Sequence, residues 1–586
     1  MRKTKNVYLL IIALFIGLVG FNLYSQTTLL HVFAGGPDDG KNPWGSLVQD
    51  GATLFGMTCN GGDNDLGTIF KINVDGTGFE VIHSFAGRPD DGALPKESLI
   101  IDGTYLYGMT MSGGTGGNSM GTIFKIKTDG TDYELLYEFQ GSATDGMKPH
   151  GSLILNNNIL YGMTRSSFYS SKGTIFKINV DGTGFEGIHM FAGEPDDGGY
   201  PYGSLILNND ILYGMTSYGG QNNKGTIFKI ETDGTDYELL HVFAGGSNDG
   251  DLPRGSLILK NNILYGMTYK GGESNLGVIF KIKINGTGFE LLHEFSGWPS
   301  DGEYPYGSLI QKSTDLYGMT SGGGPYDAGI IFKISNDGSD YKVLHNFQGD
   351  ASGGAFPFGS LIHSNNILSG MTGHGGALDF GTIFSYELPS ITITSPNGGE
   401  DWTLNTTQDI TWTGSKVTGG LQIGLLQNGT IVALIDKNID PALGSYSWKV
   451  GDCRVGSIVA GTDYKIIINE KDSIVKDKSN GVFTISNPSL TITSPNGGED
   501  WTMGTTQSIT WTASGVTEGL YIILMQNGTT IALIDKNVNP ALGSYSWTVG
   551  NCRIGTVPAG TDYKILIVEK DSKVKDKSSG TFTISE

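Results

Sequence analysis

The sequence has only three cysteines in 586 residues. That excludes the disulfide framework that staples small secreted domains. Positive charge is also scarce. Lys and Arg number 38 against 59 Asp and Glu, a formal net charge of −21 at pH 7. Nucleic-acid binding rests on cations that neutralise phosphates, so nucleic acid is not an expected partner. The same balance argues against docking on anionic lipid. Charged residues of both signs make up only 17%, below the usual ~25%. Helical periodicity is missing over any length. Beyond the first 21 residues, no run approaches the ~20 apolar residues that a membrane helix needs. His-Glu-x-x-His and P-loop patterns are missing as well, and no catalytic motif is singled out.

Glycine, by contrast, is abundant. Its 91 positions are about twice the usual share of ~7%. Hydrophobic residues at 38% and aromatics at 10% suffice for packed cores. The length allows three or four domains at ~150 residues each. At the N-terminus, Arg2, Lys3 and Lys5 precede the apolar run Val7 to Phe21. A basic region, an apolar region and polar residues beyond it predict a signal peptide over 1–26, cleaved near Ser25 or Gln26. An uncleaved anchor is the other reading. No cysteine follows directly, so a lipoprotein anchor is not expected. The mature protein is expected to be a secreted or cell-surface monomer with no membrane span after signal cleavage.

The strongest signal is repetition. Gly-Met-Thr begins at Gly56, Gly108, Gly162, Gly214, Gly266, Gly318 and Gly370, at intervals of 52 residues and once 54. Gly-x-Ile-Phe begins at Gly67, Gly121, Gly173, Gly225, Gly277, Gly329 and Gly381. Each repeat offers four short strands. In the fourth copy these are Leu205 to Leu207, Ile211 to Thr216, Thr226 to Ile230 and Tyr237 to Phe243. Asn208-Asn209-Asp210 and Asp233-Gly234 supply the turns. The last third strand, Thr382 to Tyr386, has no fourth strand after it. Thr28 to Phe33 has the missing pattern at the start of the chain. This offset predicts a seven-bladed β-propeller of 28 strands over 27–388, closed by the N-terminal strand.

The run Leu-Tyr-Gly-Met-Thr, then Gly-Gly, Gly-Thr-Ile-Phe-Lys-Ile and Asp-Gly-Thr resembles the GloVer tandem repeats of bacterial surface proteins. The resemblance covers roughly Thr27 to Glu387. It implies an exported, kelch-like repeat protein with no established catalytic residues.

The last 200 residues hold a different, doubled pattern. Ser395-Pro-Asn-Gly-Gly-Glu-Asp-Trp402 recurs as Ser494-Pro-Asn-Gly-Gly-Glu-Asp-Trp501. Trp412 matches Trp511, Trp448 matches Trp547, and Cys453 matches Cys552. Alternating short strands at this length predict two immunoglobulin-like β-sandwiches, over 389–487 and 488–586. The pattern resembles the Ser/Thr-rich GPI-anchored, yeast cell-wall-synthesis-like domain family. No GPI signal is read in the sequence, so the anchor in that family's name is not expected to carry over. One cysteine per sandwich at equivalent positions reads as a small buried hydrophobe rather than a bridge. Cys59 lies in a repeat loop.

Three sets of residues carry possible chemistry. His31, His83, His189, His241, His293 and His345 share one position in the fourth strand, with Tyr137 in the remaining copy. One histidine per repeat is too widely spaced for a shared metal, so no metal site is expected. Eight residues on stand Asp39, Asp91, Asp145, Asp197, Asp249 and Asp301, poised for a histidine-to-aspartate bond that pins the loop. The Asp-Gly loops could hold Ca²⁺ but lack dense oxygen ligands, and turn formation is the favoured reading.

The third set varies inside a constant frame. After the proline of each inter-repeat loop come Trp44, Lys96, His150, Tyr202, Arg254, Tyr306 and Phe358. They form either a recognition ring or a packing plug. Aromatic faces suit sugars or extended peptides, so an extracellular glycan or a surface protein is the expected partner. A binding protein is the first functional reading. A secreted hydrolase or lyase with a central pocket, or a structural matrix component, is the alternative.

Overall fold

The computed structural model describes residues 27–115, 119–169, 171–351, 353–471 and 475–586. The predicted signal peptide lies outside them. No helix among the described residues is long and apolar enough to cross a membrane. Two compact units divide at Glu387 and Leu388.

In the first unit each repeat pairs its four strands in order. The fourth copy runs Ile206–Asn208, Ile211–Thr216, Thr226–Glu231 and Glu238–Val242, all antiparallel. Seven such four-stranded sheets are present. In the last, Thr28–Val32 supplies the outermost strand by pairing with Thr382–Glu387 (Thr28 with Ser385, Val32 with Thr382). The expectation of a closed seven-bladed propeller of 28 strands is corrected here. The sheets are separate and open, and none closes on itself. Short ribbons add further strands, such as Gly198–Gly199 with Tyr218–Gly219. There are six of these ribbons among the described residues. In the third copy the ribbon merges into the sheet, so that Met147–Asn156 runs continuously against Ile159–Ser166. The physical reason for separate sheets is plain. Each central strand already spends its backbone groups on its two neighbours, so sheets adhere through side chains.

Strand alternation divides those side chains. Phe228 and Ile230 pack with Tyr161, Met163 and Ile175 of the preceding sheet. Ile227, Tyr213 and Met215 pack with Leu264, Phe280 and Ile282 of the following one. A strand buried on both faces reads as a continuous apolar run, as Thr-Ile-Phe-Lys-Ile does. The contacts follow chain order, and the last sheet also meets the first: Phe33, Met371 and Ile383 pack with Leu54, Phe70 and Ile72. Glycine in Gly-Met-Thr has a specific cause. A Cβ on Gly214 would lie 2.5 Å from the ring of Phe228, its cross-strand partner.

The second unit holds two similar all-β halves. Each has a three-stranded and a seven-stranded sheet, the first half pairing Ser390–Ser395, Thr407–Ser415 and Ser445–Lys449 in its smaller sheet. An immunoglobulin-like architecture is consistent with this. Trp402, Trp412, Trp448, Tyr464 and Phe483 fill the first core. Trp501, Trp511, Trp547, Tyr563 and Phe582 fill the second. Buried indole N–H groups are satisfied, Trp448 donating to Asp452 O at 2.7 Å and Trp412 to Pro441 O at 3.0 Å. Cys453 and Cys552 are free and half-buried against these cores.

Candidate functional site

The loop that enters each repeat carries its variable residue on a rigid backbone. Two positions earlier, Asn42, Leu94, Lys148, Tyr200, Leu252, Tyr304 and Phe356 all adopt φ between 52° and 57°. Bulky residues rarely accept this left-handed region, and doing so costs ~1–3 kcal/mol each. Backbone bonds on both sides hold them there. Tyr304 N–H donates to Leu276 O at 2.8 Å, and Ser321 N–H donates to Tyr304 O at 3.1 Å. The buried proline follows, then the variable residue, then Gly-Ser.

The Gly-Ser pairs explain the close approach of neighbouring repeats. A Cβ on Gly203 would lie 2.1 Å from Gly255 O, and one on Gly255 would lie 2.2 Å from Gly307 O. In six of the seven copies the following serine N–H donates to the serine hydroxyl of the next repeat. Ser204 to Ser256, Ser256 to Ser308, and Ser360 back to Ser46 are 2.7, 2.7 and 2.8 Å. These residues line a small cavity of about 100 Å³, together with Lys96, Glu97, Tyr202, Arg254, Tyr306 and Phe358.

The predicted residues meet one another beside this cavity. Trp44 stacks on Phe358 with centroids 4.5 Å apart, and Tyr306 meets both edge-on. Lys96 Nζ sits 4.4 Å from the centre of the Trp44 ring. The Arg254 guanidinium lies 5.5 Å from the Tyr202 ring and 5.0 Å from the Tyr306 ring. His150 is buried, lies 4.8 Å from Tyr202, and holds Glu97 through Nδ1 at 2.6 Å. The other six are half-buried. Burial pushes the Tyr306 hydroxyl pKa well up, with Arg254 opposing. Aromatic faces expected to be open for stacking are therefore largely covered, Trp44 by Phe358 and Lys96, Tyr202 by two guanidiniums.

Sequence reasoning missed three neighbours. Arg165 lies 4.7 Å from the Tyr202 ring, and Tyr269 lies 3.8 Å from the Arg254 guanidinium. Both occupy the position just after Gly-Met-Thr, which also varies: Cys59, Met111, Arg165, Ser217, Tyr269, Ser321 and Gly373. The third is Glu97, where the other six copies have glycine. Cys59 of the same position is buried, which pushes its thiol pKa up despite nearby Lys96.

The histidines lie elsewhere, between sheets. His241 stacks on Phe289 of the next sheet at 3.9 Å and 8°, with Nε2 3.1 Å from Asp249. His31, His83 and His293 make the same contacts with Asp39, Asp91 and Asp301 at 3.0–3.1 Å. Tyr137 reaches Asp145 at 3.3 Å, and His189 lies 3.3 Å from Asp197. The aspartates also accept loop N–H groups, as Asp39 does from Ala34 at 2.8 Å and Gly40 at 2.7 Å. Their oxygens are engaged in pinning the loop rather than gathered around a cation. One Gly-x-Ser-x-Gly pattern does occur, from Gly117 to Gly121. Its serine hydroxyl accepts the Gly113 N–H at 2.7 Å, within a loop between strands. The strand-to-helix turn that would expose a nucleophile is not its setting.

Repeated four-stranded sheets and a doubled tryptophan-cored module define an all-β repeat protein with immunoglobulin-like domains. The chain belongs to the Gloeobacter/Verrucomicrobia repeat family, whose model matches residues 19–223, 168–384 and 212–430. Residues 494–584 match the Kre9/KNH-like N-terminal Ig-like domain. Both matches fit an extracellular, β-rich protein. No curated protein matches the chain in sequence. Among solved structures, the fibronectin(III)-like modules of Clostridium thermocellum CbhA share 16% identity over 33% of this chain and 94% of theirs, with a TM-score of 0.14. An ancestral GH74 enzyme shares 11% over 62% of this chain and 51% of its own, at 0.40. The polysaccharide lyase Uly1 shares 9% over 60% and 90%, at 0.33. Resemblances this distant carry no argument about activity.

Proposed function

We propose that this is an exported binding or adhesion protein without enzymatic activity. Its repeat domain, 27–388, recognises a glycan or a surface protein at the Gly-Ser cavity. The domains at 389–487 and 488–586 act as spacers or attachment modules. One observation carries the reading. Side chains that differ from repeat to repeat, on a backbone that does not, converge beside a single cavity. Loops on a rigid scaffold are where binding is commonly built. A glycan-array screen of the full-length protein, beside a Trp44→Ala/Tyr202→Ala variant of matched thermal stability, tests it. Selective binding lost in the variant supports the reading, and equal binding by both moves recognition away from this cavity.

A second reading has one observation in its favour. Glu97 breaks the repeat symmetry and pairs with buried His150 at 2.6 Å, an acid and a base side by side at the cavity. A secreted hydrolase or lyase would use that pair. Release of reducing or unsaturated ends from polysaccharides, abolished by Glu97→Gln, would establish this reading over the first.

A further inference from the structure

The cavity carries a charge opposite to that of the chain. Against a net charge of −21, its surroundings hold Lys96, Arg165 and Arg254. Elsewhere in the repeats, lysines find carboxylates. Lys71 pairs with Glu80, Lys125 with Glu134, and Lys229 with Glu238, at 2.8–3.0 Å. Among the described residues, none of the three cavity cations has such a partner. The one carboxylate that lines the cavity, Glu97, is already held by His150. The cations rest on aromatic rings instead, with Arg165 and Arg254 both on Tyr202. Cation–π contact positions a guanidinium while leaving its N–H edges free to donate.

The cavity floor supplies a second, independent observation. Ser46, Ser256, Ser308 and Ser360 each accept a neighbouring backbone N–H through Oγ. Among the described residues, none of these four hydroxyls has a protein acceptor for its own proton. A hydroxyl that accepts from an amide and still holds its proton is a donor in waiting. Serine donors that line the cavity with Lys96 and Arg254, and Arg165 beside them on the Tyr202 ring, suit an oxyanion, whose hydrogen bonds to charged donors are the strong ones. At about 100 Å³ the cavity is small beside the ~300–1,000 Å³ of sites that engulf a whole ligand. It fits a substituent rather than a sugar ring.

We propose that the cavity receives the carboxylate or sulfate group of an acidic glycan, held by Arg165, Arg254 and Lys96 over the serine hydroxyls. This rests on the binding reading above and names the ligand chemistry. The test compares binding of polygalacturonate, dextran sulfate, uncharged dextran and polyglutamate to the full-length protein. It is run at about 50 mM and about 300 mM NaCl. An Arg165→Gln/Arg254→Gln variant is measured beside Lys283→Gln, an exposed lysine elsewhere in the repeats. The two acidic glycans distinguish carboxylate from sulfate. The proposal expects one or both to bind, to weaken with salt, and to lose roughly tenfold or more in the double arginine variant but not in the Lys283 variant. Binding of dextran alone, or acidic-glycan binding that ignores the arginines, overturns the anionic assignment and leaves the binding reading standing. Binding of polyglutamate but of neither acidic glycan overturns the glycan in favour of an acidic polypeptide. No binding of any probe overturns the proposal, and the glycan array then decides the broader reading on its own.

Discussion

The Tyr237 hydroxyl donates to Asp197 at 2.6 Å, joining residues 40 positions apart in consecutive repeats. Tyr133 does the same for Asp91, and Tyr341 for Asp301. In the intervening copies the ring is phenylalanine, as in Phe79, Phe185 and Phe289, and it stacks in the same way on His31, Tyr137 and His241. The ring is thus common to six copies, with Thr27 at the equivalent position of the seventh, and the hydroxyl is an addition in alternate ones.

Replacing Tyr237 by phenylalanine therefore isolates the hydrogen bond, because the fold already accepts phenylalanine there. Losing a donor to a part-buried carboxylate should lower the unfolding free energy by about 1–2 kcal/mol. Urea unfolding of Tyr237→Phe beside the parent measures this. An unchanged midpoint would show that the bond adds nothing.

The same aspartates set a response to acid. Burial works to raise the pKa values of Asp91, Asp197 and Asp301. Hydrogen bonds from the histidine, the tyrosine and a loop N–H outweigh it and hold them below the usual carboxylate range. A carboxylate with a lowered folded pKa stabilises the fold above its unfolded value near ~3.9 and loses that contribution as pH falls through the folded value. Thermal midpoints should fall steeply below about pH 4. The Asp91→Asn/Asp197→Asn/Asp301→Asn variant should start lower at neutral pH and fall less. Parallel curves for the two proteins would remove these carboxylates from the account.

Gly203→Ala tests the contact between repeats. The added Cβ would lie 2.1 Å from Gly255 O and 2.5 Å from its carbonyl carbon. Both atoms are backbone, so no flexible side chain can yield. A loss of about 2–3 kcal/mol is expected in chemical denaturation. Gly51→Ala meets nothing within 4 Å but has a positive φ of 55°, which Gly203 does not. It should cost less, from backbone strain alone.

The thiols differ by burial. Cys59 is 6% exposed and its thiol pKa is raised by that burial, so an aromatic disulfide reagent should leave it untouched until the protein unfolds. Cys453 and Cys552 are half-exposed and free. They should react in the native state, giving two thiols before denaturant and three after. Three fast thiols would contradict the packing around Cys59.

Much of the repeat unit was legible. Spacing marked the seven copies, and alternation marked strands such as Ile211–Thr216 within a residue or two. The eight-residue offset from His241 to Asp249 signalled a contact that the structure contains. The two-residue ribbons were not legible. Gly198–Gly199 has no strand propensity and pairs only because two backbones approach closely. The closed propeller expectation went too far, since counting strands cannot distinguish separate sheets that touch through side chains from a closed one. At the cavity, Trp44 and its equivalents stood out as variable residues in a fixed frame. Arg165 did not, because it lies one residue past Gly-Met-Thr, where no variable position was singled out. Nor could any spacing show that Lys96 and Phe358 would cover the Trp44 faces meant for a ligand.

Thr28–Val32 waits for Thr382–Glu387, and Asn42 bonds to Gly373 O across 331 positions. During synthesis the first strand therefore leaves the ribosome with no partner, and Leu54, Phe70 and Ile72 stay uncovered on one side until the seventh copy emerges. The earlier sheets form from local hairpins, whereas this last pairing must bring distant segments together. The N-terminal strand is a latch that engages late. A chain halted between Asn346 and Thr382 would carry six finished sheets, a loose strand and a bare apolar flank, the form most exposed to proteases and to mispairing with other chains.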